Sequence, residues 1–458
     1  MTLHNYIESI KNKRIGVIGI GVSNLPLIIK LLESGCDVTA CDKRTAEAMG
    51  EDYDKLAAMG AKFMLGEDYL ENLDFDIVFR TPGLMPFDEH LERVRQRGGI
   101  VTSEMEVFFS LCPCRIISVT GSDGKTTTTT IVSELLKAQG YTVHLGGNIG
   151  RPLLCDVDTM SPEDFAVLEL SSFQLHSMTC KPNVAVITNI SPNHLDKHKD
   201  YQDYIDAKSA IFLGQDENDR LVLNHENEYS EYYRKQTKSQ VNYFSRVFKP
   251  ENGVYSDDTF VYRVIDGREE KIMNIEDIKL PGTHNLENYM AAFSATQELV
   301  SDETCKEVAM SFNGVEHRLE RVREKDGVVY INDSIGTSPS RTAAGLHALK
   351  TKPILIAGGY DKHIPFDALG DEICQHVKEL YLCGATAEKI ADVVKNSKYY
   401  TEDFKMTIMC DFKETVLAAS KAAESGDIVL LSPACAAFDQ FKNFMERGKY
   451  FKQIVMEL

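Results

Sequence analysis

The strongest chemical signal in this sequence is a glycine-rich segment that ends in lysine and threonine, Val119-Thr120-Gly121-Ser122-Asp123-Gly124-Lys125-Thr126-Thr127. Glycines let backbone N–H groups close on phosphate oxygens, and the N-terminus of a following helix adds roughly half a positive charge. Lys125 is placed to reach the β- and γ-phosphates of a nucleoside triphosphate, and Thr126 to ligate Mg²⁺. Val119 departs from the usual GxxxxGK[ST] pattern, which has glycine there. We predict a phosphate-binding loop, and the alternative is a glycine turn capped by Ser or Thr.

A second glycine turn, Gly19-Ile20-Gly21-Val22-Ser23-Asn24, lies between a predicted strand and helix. It lacks the third glycine of GxGxxG, because Asn24 stands there. Asp42 ends the next predicted strand, where NAD-binding proteins hold a ribose. The pattern fits any nucleotide, including a uridine diphosphate, and does not single out NAD.

Polar residues follow two further apolar strands, which is where ligands bind in open α/β sheets. Glu169 follows Val167-Leu168, and with Thr126 it would suffice for Mg²⁺, which takes few protein carboxylates. His194 lies in Thr188-Asn189-Ile190-Ser191-Pro192-Asn193-His194-Leu195-Asp196 and is a candidate second metal ligand, although a structural histidine is the alternative. Asn285 and Asn288 share one helix face, where their amides can cap the helix or bind a base.

The elements that must position these residues alternate between strand and helix, which predicts parallel sheets covered by helices. Length suggests roughly three domains of about 150 residues. We predict an α/β protein with a Rossmann-like domain at residues 1–108, a P-loop domain with a parallel or mixed sheet at 109–314, and a Rossmann-like domain at 315–458. The predicted strands are Arg14–Ile18, Val38–Cys41, Ile116–Thr120, Ala166–Leu168, Val184–Thr188, Leu221–Leu223, Val328–Ile331, Ile354–Ala357, Leu380–Cys383, Thr407–Met409 and Ile428–Leu431.

Charge and hydropathy limit the possible partners. Asp plus Glu number 69 and Lys plus Arg 50, which gives a net charge of −19. A nucleic-acid binder normally carries a basic face, so we expect neither DNA, RNA nor an anionic membrane as partner. No apolar run approaches the roughly 20 residues of a membrane helix, and the first residues lack a secretory pattern. We therefore expect a cytoplasmic protein.

The 11 cysteines are scattered singly, apart from Cys112 and Cys114. This CxC pair has no matching partner pair in the sequence. The pattern therefore supports neither a disulfide framework nor a zinc site, and we expect reduced, mostly buried thiols.

Taken in order, a series of motifs resembles the Mur ligase family over essentially the whole chain. The motifs are TGSDGKTT, GGNIG, LELSSFQL, TNISPNHLD, GTHNLENYMAA, EHRLE, NDS and LSPACAAFDQFKNFMERG. The last motif and the Rossmann-like first domain point to the D-glutamate-adding member. The resemblance implies a ligase of peptidoglycan precursor synthesis that couples UDP-N-acetylmuramoyl-L-alanine to D-glutamate through an acyl phosphate, with ATP and two Mg²⁺ ions. It also implies that the three domains bind, in order, the UDP substrate, ATP and the amino acid, and we expect a monomer.

The resemblance also assigns roles to individual positions. ATP and its Mg²⁺ would be held by Gly121, Ser122, Asp123, Gly124, Lys125, Thr126 and Thr127, with Glu169 on the same metal ion. His194 and Lys208, the latter carbamylated, would hold the second Mg²⁺, whereas sequence alone describes Lys208 as an ordinary surface lysine. Asn288, Arg318 and Asp333 would contact the ATP adenine, phosphates and ribose. The UDP substrate would contact Ser23, Asp42, Lys43, Gly83, Asn148 and Ser171, and D-glutamate would contact Thr337, Lys362 and Phe444.

Two positions depart from the pattern of the family. Ile335 follows Asn332-Asp333-Ser334 where a lysine is common, and Ala437 stands where a serine commonly helps to hold D-glutamate. Losing one neutral hydrogen bond costs about 0.5–1.5 kcal/mol, so affinity would change rather than the reaction. Thr337 or Ser338 is a possible replacement contact.

Two other kinds of function stay open at this stage. One is a family member with different amino-acid specificity, although folate polyglutamate ligases lack the first domain and the diaminopimelate-adding enzyme carries an Asp-Asn-Pro-Arg signature absent here. The other is a non-catalytic nucleotide-sensing module, which would need neither the metal ligands nor a third α/β domain. ADP release that depends on an amino acid separates the enzyme from the sensor.

Overall fold

The computed structural model describes residues 1–193, 197–280, 282–361 and 365–458. They form two compact units, residues 1–312 and 313–458. The first unit contains two β-sheets and the second contains one. The α/β class is therefore confirmed, whereas the predicted domain boundaries at 108 and 314 stay predictions. Within the described ranges, every helix is too short or too polar to span a bilayer.

The first sheet is fully parallel, with strand order β3-β2-β1-β4-β5, the order of a Rossmann-type sheet. Its strands are β1 (Arg14–Ile18), β2 (Asp37–Asp42), β3 (Lys62–Leu65), β4 (Ile77–Phe79) and β5 (Ile100–Thr102). The accompanying helices are α1 (Leu3–Ile10), α2 (Leu25–Glu33), α3 (Ala46–Met49), α4 (Glu51–Ala58), α5 (Glu89–Gln96) and α6 (Glu104–Leu111).

The second sheet has nine strands in the order β14-β13-β12-β11-β10-β9-β6-β8-β7. Its strands are β6 (Arg115–Thr120), β7 (Val143–Gly147), β8 (Phe165–Glu169), β9 (Val184–Ile187), β10 (Arg220–Asn224), β11 (Gln240–Ser245), β12 (Gly253–Ser256), β13 (Phe260–Ile265) and β14 (Arg268–Asn274). Only the β12-β13-β14 meander is antiparallel. The helices are α7 (Lys125–Ala138), α8 (Ser172–Leu175), α9 (Tyr201–Ser209), α10 (Ser230–Arg234), α11 (Thr283–Ala295) and α12 (Asp302–Ser311), with 3₁₀ helices at Leu154–Thr159 and Ile275–Asp277.

The third sheet has the order β15-β16-β20-β17-β18-β19 and is parallel except for its first strand. Its strands are β15 (Glu320–Lys325), β16 (Val328–Asn332), β17 (Ile354–Ala357), β18 (Glu379–Cys383), β19 (Met406–Met409) and β20 (Ile428–Leu431). The helices are α13 (Pro339–His347), α14 (Asp367–His376), α15 (Ala387–Lys395), α16 (Phe412–Ala422) and α17 (Phe444–Glu457). The strands predicted in all three blocks are confirmed, and the structure adds β3, β4, β5, β7, β11, β12, β13, β14 and β15 to them.

Buried strands explain where the polar candidates lie. All five residues of β8 are buried, as are the last five of β6, because helices cover both faces of the sheet. Polar side chains are therefore confined largely to the strand ends. Thr120, Glu169 and Thr188 all lie at the carboxyl ends of neighbouring strands of the second sheet, which brings them to one edge.

Candidate active site

The glycine loop between β6 and α7 has the shape of a phosphate cradle. Gly121 and Gly124 have φ angles of +148° and +76°, which favour glycine. A Cβ on Gly124 would lie 2.3 Å from Asn288 Oδ1, and one on Gly121 would lie 1.9 Å from Thr188 Oγ1. Val119 lies inside β6, completely buried, so the turn begins only at Gly121. This explains why the position of the first glycine in the usual pattern holds valine.

Lys125 begins helix α7 and its ammonium group lies over the loop. Its Nζ donates to the carbonyl oxygens of Gly121 and Ser122 at 3.0 and 2.9 Å. Thr126 and Thr127 follow in the first helical turn and are half-buried. Lysine, loop amides and helix N-terminus thus converge on one place, which is the arrangement that binds anions.

Residues in the segment that follows β9, and one residue of α9, hydrogen-bond to the loop, and no role was predicted for them from the sequence. Ser122 Oγ lies 2.8 Å from the Tyr204 hydroxyl and donates to the Ser191 carbonyl oxygen at 2.9 Å. The Asn189 Oδ1 atom accepts from Asp123 N at 3.0 Å, and Thr188 Oγ1 donates to Asp123 O at 2.6 Å. The TNIS segment that contains three of these residues was visible in the sequence, but only His194 was given a role.

Lys208 is buried directly beneath the loop, at 1% exposure. Its Nζ donates to Gly121 O at 2.8 Å and to Thr120 Oγ1 at 3.3 Å, and it lies over the Tyr204 ring. Burial, assisted by the positive charge of Lys125, lowers the pKa of Lys208 well below its ordinary value. The description of Lys208 as a surface lysine is wrong, because α9 directs it inward.

Glu169 ends β8 and is buried, at 1% exposure. Its Oε1 accepts a 2.7 Å hydrogen bond from Asn148 Nδ2. Its Oε2 is buried and finds no hydrogen-bond partner in the part of the chain that the structure describes. A buried carboxylate oxygen without a partner is costly, and a cation is the group that would satisfy it.

Two other predicted contacts flank the loop. Asn288, in α11, is buried, and its Oδ1 accepts a hydrogen bond from Thr128 Oγ1 at 3.2 Å. Ser171 caps helix α8 through a capping box with Gln174. Asn288 therefore lies beside Gly124 of the loop. Ser171 stabilises the N-terminus of α8.

A chain of four polar side chains links α8 to α9. Asp203 accepts from His176 Nε2 and His198 Nδ1, each at 2.9 Å, and His198 Nε2 lies 3.0 Å from Ser172 Oγ. Burial lowers the pKa of His198. These hydrogen bonds hold α9, which carries Lys208, against α8. His194, the sequence-predicted ligand, lies outside the described residues.

In the first sheet the predicted substrate residues lie around the other glycine turn. Asp42 is buried and accepts hydrogen bonds from Ile20 N at 2.8 Å and from Arg44. Burial would raise the pKa of Asp42, but these hydrogen bonds outweigh it and lower the pKa below its ordinary value. Arg44 was not predicted, and it ties this carboxylate to the turn. The remaining candidates are half-buried Ser23 and exposed Lys43 and Gly83.

The second unit has its own polar cluster at the carboxyl ends of β16 and β20. Asp333 is buried and accepts from Ser432 Oγ at 2.7 Å and from Leu319 N at 3.2 Å. Burial raises the pKa of Asp333 to about 6. Arg318 is exposed nearby in sequence. A buried carboxylate whose pKa is raised in this way is a candidate ligand-binding group.

A buried arginine organises the rest of that cluster. The guanidinium of Arg447 donates to Ser334 O and Cys435 O at 3.1 and 2.9 Å, and burial lowers the pKa of Arg447 to about 10. Phe444 begins α17 and its carbonyl oxygen accepts from Ser334 Oγ. Of the remaining positions, Thr337 and Ile335 are half-buried, Ala437 is buried, and Lys362 lies outside the described residues.

Comparison with known proteins gives a consistent result. Residues 119–296 match the model of the Mur ligase middle domain, and residues 317–435 match that of the Mur ligase, glutamate ligase domain. The chain is 49% identical to the UDP-N-acetylmuramoylalanine--D-glutamate ligase of Ruminiclostridium cellulolyticum, over 100% of this chain and 99% of that protein. It is also 49% identical to the enzyme of that name from Acetivibrio thermocellus, over 99% and 98% of the two chains.

Solved structures with low sequence identity share the fold. The UDP-N-acetylmuramate-alanine ligase of Thermotoga maritima aligns with a TM-score of 0.56 and 17% identity, over 97% of this chain and 100% of its own. A UDP-N-acetylmuramoyl-L-alanyl-D-glutamate--2,6-diaminopimelate ligase aligns with a TM-score of 0.53 and 18% identity, over 92% and 93% of the two chains.

Proposed function

The chain belongs to the Mur ligase family, and from that premise we propose that it joins D-glutamate to UDP-N-acetylmuramoyl-L-alanine at the expense of ATP. The 49% identity to ligases of that name over almost the full chain supports this specificity. The products are the amide, ADP and phosphate. The sensor alternative is set aside, because the family consists of ligases.

One observation carries the proposal at the level of chemistry. Lys125 lies over the glycine loop and Lys208 lies beneath it, and the ammonium group of each donates a hydrogen bond to the Gly121 carbonyl oxygen. Glu169 ends the adjacent strand, and its buried Oε2 accepts no hydrogen bond from the described residues. Anion-binding and cation-binding groups thus lie at one sheet edge. Phosphoryl transfer asks a protein mainly for this kind of positioning and charge compensation.

The residues fit magnesium. Glu169 Oε2 is a buried oxygen that no donor among the described residues reaches, and Thr126 supplies a hydroxyl in the first turn of α7. We propose that these two residues hold one Mg²⁺ with the ATP phosphates, and that His194 and carbamylated Lys208 hold a second. Bound Mg²⁺ would neutralise charge on the phosphate oxygens.

Lys208 suits carbamylation because only a neutral amine attacks carbon dioxide. The lowered pKa of Lys208 favours the neutral amine, and burial protects the product from water. The reaction forms an N–C bond and releases one proton. The product is an anion, which turns the most deeply buried cation of the site into an oxygen ligand for a metal.

The residues then act in two steps. The substrate carboxylate attacks the γ-phosphorus while Lys125 and the loop amides hold the phosphate oxygens, and ADP leaves. The D-glutamate amine next attacks the acyl-phosphate carbonyl, the C–O bond to phosphate breaks, and the amine loses a proton. The described residues supply charge and orientation, and none needs to become a covalent nucleophile.

The remaining contacts are proposed from matching positions. Asn288, Arg318 and Asp333 are assigned to ATP, and Ser23, Asp42, Lys43, Gly83, Asn148 and Ser171 to the UDP substrate. Thr337, Lys362 and Phe444 are assigned to D-glutamate. The internal hydrogen bonds of Asp42 and the capping role of Ser171 indicate that these two shape the site more than they contact ligand.

The test is ADP release with UDP-N-acetylmuramoyl-L-alanine and each of D-glutamate, L-glutamate, L-alanine and L-lysine. We expect steady release with D-glutamate alone. Lys125→Ala should reduce it at least about 100-fold, as expected for removal of a key donor. Lys137→Ala, in an exposed ion pair with Glu134 on the same helix, is the matched control. Equal rates for Lys125→Ala and the parent, or a preference for another amino acid, would refute the proposal.

A further inference from the structure

Three potential metal ligands meet at the opposite end of the second sheet from the phosphate loop. Cys114 directly precedes β6, Asp164 directly precedes β8, and His144 is the second residue of β7. The three strands are neighbours in the order β6-β8-β7 and run parallel. One ligand atom from each residue lies within 4.8 Å of the other two. The fold therefore gathers sulfur, nitrogen and oxygen donors at the amino-terminal ends of the strands.

These side chains are largely shielded from water. Cys114 is 7% exposed, and the His144 and Asp164 side chains are 16% and 15% exposed. His144 Nε2 lies 2.9 Å from Asp164 Oδ2, which also accepts from Ser161 N at 3.0 Å. Burial, together with the neighbouring thiol of Cys112, raises the pKa of Cys114 to about 12. A second sulfur is thus available beside the first.

We propose that Cys114, His144 and Asp164 bind a zinc ion, with Cys112 as the fourth ligand. A tetrahedral zinc with bonds of about 2.0–2.3 Å holds its ligand atoms roughly 3.3–3.8 Å apart. The three ligand atoms that lie within 4.8 Å of one another would draw closer on binding, and Cys112, which is outside that group of three, would rotate towards it. Thiolate and imidazole donors favour zinc over magnesium or calcium. The sequence alone did not indicate this site, because the partners of the CxC pair are single residues on two other strands.

A cysteine-hydrolase triad uses the same three residue types, but the cluster does not suit one. A catalytic cysteine needs a lowered pKa and access to substrate. Cys114 is buried and its pKa is raised instead. A zinc ion would displace the thiol protons and would link the amino-terminal end of β6 to β7 and β8. Since such a site forms only in the folded chain, binding would stabilise the fold.

The experiment is titration of the chelator-treated full-length chain with CoCl₂ and then ZnCl₂. We expect thiolate-to-cobalt charge-transfer absorption in the near ultraviolet, its loss on adding zinc, and a zinc-dependent rise in Tm. Proposed magnesium ligands offer no sulfur, so this absorption reports cysteine ligands, and its response to Cys114→Ser and Cys112→Ser assigns it to this cluster. Cys114→Ser should reduce this absorption at least by half, because only Cys112 would remain as a thiolate ligand. His144→Gln should weaken zinc binding by more than the roughly 10- to 100-fold that loss of an outer-shell partner costs.

The control is His347→Gln, which removes one member of an exposed His347, Glu372 and His376 cluster elsewhere in the chain. It should leave the absorption unchanged. If Cys114→Ser fails to fold, Cys112→Ser and His144→Gln still decide the matter. Charge transfer that is absent from the parent, or a zinc affinity that is unchanged in His144→Gln, would overturn the proposal. The rate of ADP release should stay the same in His144→Gln, which separates this site from the catalytic one.

Discussion

The side-chain nitrogen of Lys208 lies 2.8 Å from the carbonyl oxygen of Gly121, although 87 residues separate the two in the chain. The contact places a buried amine against the underside of the phosphate loop. Thr120 and Tyr204 are uncharged neighbours of the amine, and burial, assisted by the charge of Lys125, outweighs the attraction of Glu169 and Asp123 for an ammonium group. The site therefore favours a neutral lysine, which is the form that reacts with carbon dioxide.

The first prediction concerns this lysine. Stringent removal of carbon dioxide should lower the rate of ADP release, and added bicarbonate should restore it, because the carbamate would re-form. Lys208→Arg should lose at least about 100-fold in rate and should not respond to bicarbonate. Lys238→Arg, at an exposed position, is the control and should respond as the parent does. A parental rate in Lys208→Arg would contradict the carbamate.

The second prediction tests Glu169 as a magnesium ligand. Glu169→Gln keeps an oxygen that accepts from Asn148 but removes the charge of the bare Oε2. We expect the Mg²⁺ concentration for half-maximal ADP release to rise at least about tenfold. Mutation of a residue that only supports a metal ligand already lowers metal affinity by about 10- to 100-fold, and loss of a direct ligand should cost at least as much. The measurement is the Mg²⁺ dependence at fixed ATP. Glu134→Gln, on α7 with a side chain that is 43% exposed, is the control. An unchanged Mg²⁺ dependence would exclude Glu169 as a ligand.

The third prediction concerns the tight fit of the glycine loop. Gly124 and Gly140 both have positive φ, so alanine at either costs about 1–2 kcal/mol in backbone strain. Only at Gly124 would the new Cβ meet a neighbour, Asn288 Oδ1 at 2.3 Å, whereas the space beside Gly140 is open. Both variants should lose stability, Gly124→Ala more than Gly140→Ala because of this contact. Gly124→Ala alone should weaken ATP binding by about tenfold or more, equivalent to about 1.4 kcal/mol. Calorimetric titration with ATP measures the two affinities, and equal affinities in the two variants would contradict the prediction.

The strands and the phosphate loop were predictable because their signals are local. Buried parallel strands read as continuous apolar runs, and glycine, lysine and threonine follow one another in sequence. The antiparallel strand β15 escaped prediction because five of its six residues, Glu320–Lys325, are charged and only Val322 is apolar, at the edge of the sheet. Local sequence gives little indication that such a polar segment pairs.

The site was less predictable wherever it depends on contacts between distant segments. Lys208 follows an ordinary helical pattern, and its burial depends on which face of α9 packs under the loop. The support that Asn189 and Tyr204 give to the loop depends on the same packing. Arg44 lies two residues after Asp42, but its hydrogen bonds to that carboxylate and to Ile20 appear only once the turn has folded. The family resemblance supplied Lys208 where composition and periodicity did not.

The fourth prediction concerns stability and the buried carboxyl of Asp333. Burial raises its pKa from 3.8 to about 6, so the folded state binds this proton more tightly than the unfolded state does. Between about pH 4 and pH 6 the folded chain therefore carries the extra proton, and the contribution of Asp333 to stability falls as pH rises through that window. Above it the ionised group costs roughly 3 kcal/mol, from about 1.4 kcal/mol for each pKa unit.

Asp333→Asn removes this cost but keeps the shape of the side chain. The Ser432 hydroxyl can turn to accept from the new amide, and Leu319 N keeps its acceptor. Relative to the parent, the variant should gain stability progressively from pH 4 to pH 6 and stay about 1–3 kcal/mol more stable at pH 7, after allowing for a weakened hydrogen bond. Calorimetric unfolding across this range measures the difference, with exposed Asp326→Asn as a control that should show no such trend. ATP turnover should fall in the same variant, because a carboxylate that destabilises its own fold is retained for ligand binding. A variant that is equally active, with a constant stability difference at every pH, would show that Asp333 is neither strained nor functional.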